Sequence, residues 1–414
     1  MGVRRRLVAA ISGFGLLAGV VACGGDGDSG EGSDGGGTLT LWQYYGDPSS
    51  PTGKPLYDLI KKYDDAKDDV TVDVRFIPYD DFNRTLLQSA AAKELPDVAL
   101  IGAFDTATMA SAGIISDLGD RVGSWGQQDK YFKTSWATTQ VDGKTYGIPH
   151  VADAYAVYYN KQLLQQAGVK PPTTWAEMEA TAKKLTGQGR TGLAISGIEG
   201  PEGATVPIIR MLAAGASIDK VDTPEARSGL DQLTRMIKAG SISPGALTWN
   251  EEDAKNQFAN GKAAMMINSA TYVNILRKEN PKLQWDVALL PKDKTGQTFL
   301  SAENLAIGAT SKNPDGAWDL ISWLQQPAEL QAYLPVRNKL AARNDVQDAS
   351  NDPVRKVFAQ QLEEAWAPDE KLAPKSSEVM THLQAALQVS ASGSASTEDA
   401  LKTAQKAIDE SLAK

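Results

Sequence analysis

The sequence predicts an α/β protein of two lobes, and three observations predict it. The chain has 414 residues, enough for two or three domains. Residues 38–105 alternate short apolar strands with helices in the order β-α-β-α-β, the pattern of a mainly parallel sheet flanked by helices. The stretch from Tyr146 to Lys161 then breaks regular structure at Gly147 and Pro149, and the same alternation starts again after it. That stretch reads as a crossing between lobes, with Asp153 held at the junction. Two-lobed proteins with polar groups at such a crossing keep their ligands there.

The elements follow in chain order. Met1 to Arg6 is basic and Leu7 to Val21 is an apolar run too short to span a bilayer comfortably, so residues 1–22 read as a secretion signal. Val20-Val21-Ala22-Cys23 looks like a bacterial lipobox with Cys23 as the lipidated residue. Gly24 to Gly37 contains only Gly, Asp, Ser and Glu, has nothing to bury, and is expected to act as a flexible tether. These features place the rest of the chain outside the cell, anchored to the outer face of the cytoplasmic membrane.

In the first lobe, the strand Thr38 to Trp42 runs into a polar, aromatic loop carrying Tyr44, Tyr45 and Asp47. Helices are expected from about Lys54 and from about Asp80, with strands at Val70 to Ile77 and Leu95 to Ile101. Asp105 follows the last of these. In parallel sheets, ligands sit beyond the carboxyl ends of the strands, which points at Tyr44, Tyr45, Asp47 and Asp105.

The second lobe opens with a capping box at Thr174-Trp175-Ala176-Glu177. The strand around Leu193 leads to a loop carrying Glu199 and Glu202, and Trp249 lies in a loop before a helix capped near Asn250. The buried strand Ala263 to Asn268 delivers Asn268 and Tyr272 at its end. Glu303 and Asn304 interrupt an apolar run, and Tyr333 to Arg337 is expected to form a turn that exposes Arg337. The reading assigns 38–152 with 302–345 to lobe 1, and 153–301 with 346–414 to lobe 2.

Composition narrows the function. Net charge is −9, and loss of Arg4, Arg5 and Arg6 with the signal takes it to −12. An acidic chain without a basic stripe is a poor partner for nucleic acid. One cysteine and two histidines leave no intramolecular disulfide and no usual zinc site, so neither metal nor cofactor is expected.

Six segments taken together resemble a known family. They are Glu94-Leu95-Pro96-Asp97-Val98, Tyr159-Asn160-Lys161 with Ala167-Gly168-Val169, Pro171 to Trp175, Phe258 to Met265, Asn304-Leu305-Ala306-Ile307 with Ser311 to Pro314, and Glu398 to Leu401. In this order, behind a lipobox and a tether, they are similar to the maltose-binding-protein-like, sugar-binding group of ABC-importer solute-binding proteins. The resemblance implies a periplasmic-binding-protein-like fold with three hinge crossings. It implies a monomer, a sugar held in the interlobe cleft, and delivery to a membrane permease by the closed form. It places Asp153 at the family's acidic sugar ligand, and Tyr44, Asp47 and Asp105 in its ligand loops. Where relatives carry a stacking tryptophan, Tyr272 stands here, with Trp249 and Trp366 as nearby alternatives.

Two other readings use the same residues. A secreted glycoside hydrolase would need a carboxylate pair, which Asp105, Asp153, Glu199 and Glu303 could supply, but no nucleophile or metalloprotease motif accompanies them. The same fold with a polyamine ligand would want several acids and aromatics, which the chain has.

Overall fold

The computed structural model describes residues 37–347, 350–369 and 371–413. The signal segment, Cys23 and nearly all of the tether lie outside the described residues. Two sheets organise the described chain, each with helices on both faces. The larger has six strands in the spatial order Leu340–Ala341, Ile148–Asp153, Ser301–Ile307, Val98–Gly102, Gly37–Gln43 and Val70–Phe76. The smaller has four, in the order Trp285–Ala288, Tyr155–Asn160, Ala263–Ser269 and Thr191–Ala194.

Alternation along the strands explains both layers. In Gly37–Gln43, Leu39 and Leu41 face one core while Trp42 faces the other. In Tyr155–Asn160, Tyr155 and Val157 point one way and Ala156 and Tyr158 the other. Side chains on a strand alternate faces, so a strand buried on both sides reads as a continuous apolar run. Each fully buried leucine of this kind stabilises by roughly 1.5–3 kcal/mol. Close packing sets local identities too. A Cβ on Gly192 would lie 2.0 Å from the Ala182 carbonyl oxygen, so the strand meets its covering helix Trp175–Leu185 only through glycine.

The two-lobed α/β architecture is the expected one, but the sheets are mixed instead of mainly parallel. Val98–Gly102, Gly37–Gln43 and Val70–Phe76 pair in parallel, as β-α-β-α-β demands. Ser301–Ile307 is antiparallel to both Val98–Gly102 and Ile148–Asp153, and Leu340–Ala341 is antiparallel to Ile148–Asp153. In the smaller sheet, Tyr155–Asn160 is antiparallel to both neighbours. The reason is the crossing. A strand that leads out to the hinge and one that returns from it must run in opposite directions when they lie side by side.

The chain changes sheet at Ala154, again at Leu300, and a third time after Ala341. Thr298–Phe299 pairs with Ala365–Trp366 beside the second passage. The helix Pro353–Leu362 then packs on the smaller sheet, and Ser376–Ser392 and Thr397–Leu412 cover its helix Pro224–Lys238. The start of this closing segment also touches the larger lobe. Thr108 Oγ1 donates to the Pro374 carbonyl at 2.9 Å, and Ser376 Oγ to the Phe104 carbonyl at 3.0 Å.

One local expectation changes. Tyr333 to Arg337 is no exposed turn but the end of the helix Pro327–Arg337, and Arg337 is buried. Pro327 starts this helix at a position whose N–H needs no partner. Pro335 is tolerated near its end, and Asn338 terminates it in the left-handed conformation.

Candidate functional site

Between the lobes lies a cleft of about 310 Å³. The loop after Gly37–Gln43 brings Tyr44 and Tyr45, and the helix Ala103–Ser111 brings Phe104 and Asp105 from the end of its strand. Tyr155 enters from the first crossing, Phe299 from the second, and Arg337 and Lys339 from the approach to the third. The far wall is Glu202, Glu251 and Tyr272. Gly102 also lines the cleft; a Cβ there would sit 2.9 Å from Asp105 Oδ2, so glycine keeps that corner open.

The hinge side of the cleft is a charge network. Lys339 Nζ stands 3.3 Å from Asp153 Oδ2 and 3.4 Å from Glu303 Oε1, and all three side chains are buried. The Arg337 guanidinium lies over the Tyr45 ring, 3.9 Å from its centroid. Three atoms in this region have no hydrogen-bond partner: Tyr45 Oη, Glu303 Oε2 and Arg337 Nε. Buried polar atoms are ordinarily paired, so an unpaired donor and acceptor set beside a cleft is a place for a polar ligand.

The far wall is acidic. Glu202 Oε1 accepts from the Glu251 backbone N–H at 2.6 Å and from Ser196 Oγ at 3.2 Å. Glu251 Oε1 accepts from the Tyr155 hydroxyl. Burial, then the neighbouring Glu202 carboxylate, push the Glu251 carboxyl up to about 8. Burial also raises Glu202 and Asp105 above the usual carboxylate range.

The structure gathers six of the twelve expected ligand residues at the cleft: Tyr44, Tyr45, Asp105, Tyr272, Glu303 and Arg337. It sets the others elsewhere. Asp153 is fully buried behind the wall, where Oδ1 accepts from the N–H groups of Ala154 and Ala270 and Oδ2 from Thr271 Oγ1 and Lys339. Its oxygens tie together the ends of two strands and the third crossing. Asn304 is turned into the core, bonded to Thr106 and Thr138; a bulge at Glu303/Asn304 accompanies the opposite outlooks of these neighbours. Asn268 is buried and donates to the Glu251 carbonyl at 3.0 Å, so it positions Glu251. Asp47 is exposed and bonded to Ser49 and Ser50. Glu199 is exposed and does not line the cleft, and Trp249 packs against both cores of the smaller lobe. Trp366 sits behind Phe104 and Phe299.

Sequence reasoning did not single out Tyr79, Phe104, Tyr155, Glu202, Glu251, Phe299 or Lys339 as site residues. Glu251 is the instructive case. It follows Asn250, which forms a capping box with Asp253, so its carboxylate reads as an ordinary first-turn acid.

A second cavity, about 440 Å³, lies beside the crossings and is lined by groups such as Leu334, Leu340, Val346 and Leu362. Its Arg343 is already committed to Asp345 and the Gln325 carbonyl. Its lining mixes such apolar groups with polar ones, Lys133, Asn344 and Glu363 among them, but it does not lie between the two sheets' ligand loops.

The sequence and the fold have counterparts among known proteins. Residues 47–331 match the model of the bacterial extracellular solute-binding protein family. A binding protein of Brucella abortus is 30% identical over 351 residues, covering 80% of this chain and 82% of its own. The diacetylchitobiose-binding protein of Streptomyces coelicolor is 27% identical over 352 residues, covering 77% of each. An ABC transporter solute-binding protein of Thermotoga lettingae, bound with α-D-tagatose, shares the fold with a TM-score of 0.82. That match has 24% identity and covers 91% of this chain and 99% of that one. The chain belongs to the bacterial extracellular solute-binding protein family.

Proposed function

We propose that this protein is the extracytoplasmic, lipid-anchored solute-binding component of an ABC importer, and that it binds a di- or oligosaccharide in the interlobe cleft. It acts as a monomer and hands its solute to the permease in the closed form. One observation carries the reading: a cleft between hinged lobes whose floor holds the unpaired atoms Tyr45 Oη, Glu303 Oε2 and Arg337 Nε. A sugar supplies hydroxyls that donate and accept, which suits a carboxylate beside a guanidinium. Its apolar ring faces suit Tyr44, Phe104 and Tyr272. Relatives support the choice, since the Streptomyces coelicolor protein binds diacetylchitobiose by name.

The lobes bring contacts from both sides, so the ligand favours closure by the difference in its affinity for the closed and open forms. No reacting nucleophile is needed, and the protein is read as a binder, not an enzyme. Among the described residues no helix is long and apolar enough to cross a membrane. Attachment is assigned to Cys23, which lies outside the described residues.

The test is thermal unfolding of the full chain against mono-, di- and oligosaccharides. A ligand that binds only the native state raises the melting temperature as its concentration rises, by about 2.7 kcal/mol of stability at a hundredfold excess over Kd. One saccharide class should produce this shift, and Glu303→Ala should weaken it. A panel without any shift refutes the saccharide reading.

A further inference from the structure

The charges around the cleft are unevenly compensated, and that unevenness says something about the solute. Six ionisable side chains other than tyrosine line the cleft: Asp105, Glu202, Glu251, Glu303, Arg337 and Lys339. Both cations sit at the hinge side. Lys339 is shared between Glu303 and Asp153, and Arg337 lies against Tyr45. Two positive charges there face two carboxylates, so that end is balanced without a ligand.

The other end is not. Among the described residues, Asp105, Glu202 and Glu251 form no ion pair. The lysine that Glu251 does feel is Lys339, already engaged by two other carboxylates. Glu202 and Glu251 stand side by side, with the backbone N–H of one donating to the carboxylate of the other at 2.6 Å. Each has its Oε1 held by protein donors, while neither Oε2 has a protein hydrogen bond among the described residues. A neutral sugar hydroxyl can accept such a neighbourhood but does not relieve the repulsion between the two acids. A cation does both.

The geometry points to a saccharide that carries a protonated amine, with its ammonium seated between Glu202 and Glu251 and its hydroxyls toward Glu303 and Arg337. This rests on the saccharide reading above and narrows it to amino sugars with free amines. Glu303, 6% exposed with Oε2 unpartnered, supplies the polar anchor at the opposite end, so the acid pair is one half of a built site. Burial and the neighbouring Glu202 carboxylate both oppose charge on Glu251 and raise its carboxyl to about 8. An arriving ammonium favours the charged carboxylate, so whatever fraction of Glu251 is protonated gives its proton to solvent as the ion pair forms.

The experiment is titration calorimetry on the full chain with four probes: a β-linked glucosamine disaccharide, its di-N-acetylated form, a neutral glucose disaccharide, and spermidine. Each is run in two buffers of different ionisation enthalpy, which reads proton release. The free-amine disaccharide should bind at least about tenfold tighter than either other disaccharide, and weaken as salt rises. Its binding should release protons, whereas the N-acetylated form should release none. Glu251→Gln and Glu202→Gln should each erase the preference, with unfolding curves confirming that both variants fold. Equal or tighter binding of the N-acetylated or neutral disaccharide overturns the amine assignment and leaves the saccharide reading standing. Binding of spermidine with no saccharide bound overturns both, as does silence across all probes.

Discussion

The two walls of the cleft are built on different terms. At the hinge wall, Asp153, Glu303, Lys339 and Arg337 are deeply buried and their charges balance within the protein. At the far wall, Glu202 and Glu251 are half-buried and unbalanced. The difference separates two roles that a carboxylate near a ligand can have. A carboxylate with every oxygen occupied holds the frame; one with an oxygen to spare awaits a partner. Asp153 and Glu303 show the contrast across a single ammonium. Asp153 accepts from two backbone N–H groups, a hydroxyl and Lys339, while Glu303 leaves Oε2 unpaired.

Removing the saturated member should have the largest effect, and on stability. Asp153→Ala strands Lys339 with Glu303 alone and orphans the Ala270 N–H in a fully buried place. Loss of one partner from a buried ion pair costs about 3–5 kcal/mol. Urea unfolding should show a midpoint lowered to match, with the m-value unchanged. A change below about 1 kcal/mol would mean that Asp153 is not the tie between crossings described here.

The far wall should respond to pH instead. The Glu251 carboxyl is raised in the folded state, to about 8, against an ordinary value near 4.5. The native state therefore holds this proton more tightly than the unfolded chain does. Its contribution is fully present below the ordinary value and is lost as pH rises through the folded value. The ligand-free protein should lose stability between about pH 5 and 8, by roughly 1–3 kcal/mol from this group. Glu251→Gln carries no ionisable proton there and should flatten the slope, leaving the variant the more stable protein at pH 8. Parallel profiles for the two proteins would place the strain elsewhere.

These contrasts also mark where the sequence was readable. Most strands of both sheets, the crossing at Asp153 and the capped helices follow from alternation, breakers and caps, all local signals. Ile148–Asp153 is an exception, because Pro149 reads as a break yet lies within that strand, and the short strand Leu340–Ala341 leaves no pattern of its own. Strand direction beyond the first three strands is not local, because Ser301–Ile307 takes its orientation from a return across the hinge. Arg337 was misplaced because Tyr333-Leu334-Pro335 has the look of a break, whereas a proline near a helix end costs little. Asp153 was legible as a junction residue, but its saturation depends on Ala270 and Lys339, more than a hundred residues away. Glu251 carries no local mark at all. Its charge state is set by Glu202 and Tyr155, which only the folded cleft brings beside it.

Asp47 gives the smallest expected effect and sharpens the same contrast from outside the cleft. It follows the first strand of the larger sheet, where parallel sheets carry their ligands, yet its carboxylate turns back on its own loop. Oδ1 accepts from the N–H groups of Ser49 and Ser50, at 2.7 and 3.1 Å, and from the Ser49 hydroxyl at 2.5 Å. The Ser49 hydroxyl, with the Ser49 backbone N–H next, holds the carboxyl below its ordinary range. The small stabilisation this implies is present at neutral pH, is lost as pH falls through the lowered value, and is screened by water and salt. Asp47→Ala should therefore leave saccharide affinity within about twofold of the parent, since it removes no group from the cleft wall. Thr52, on the same loop, does line the cleft. A tenfold loss in Asp47→Ala would show that the turn sets the position of Thr52 and that this exposed carboxylate acts on the ligand through its loop.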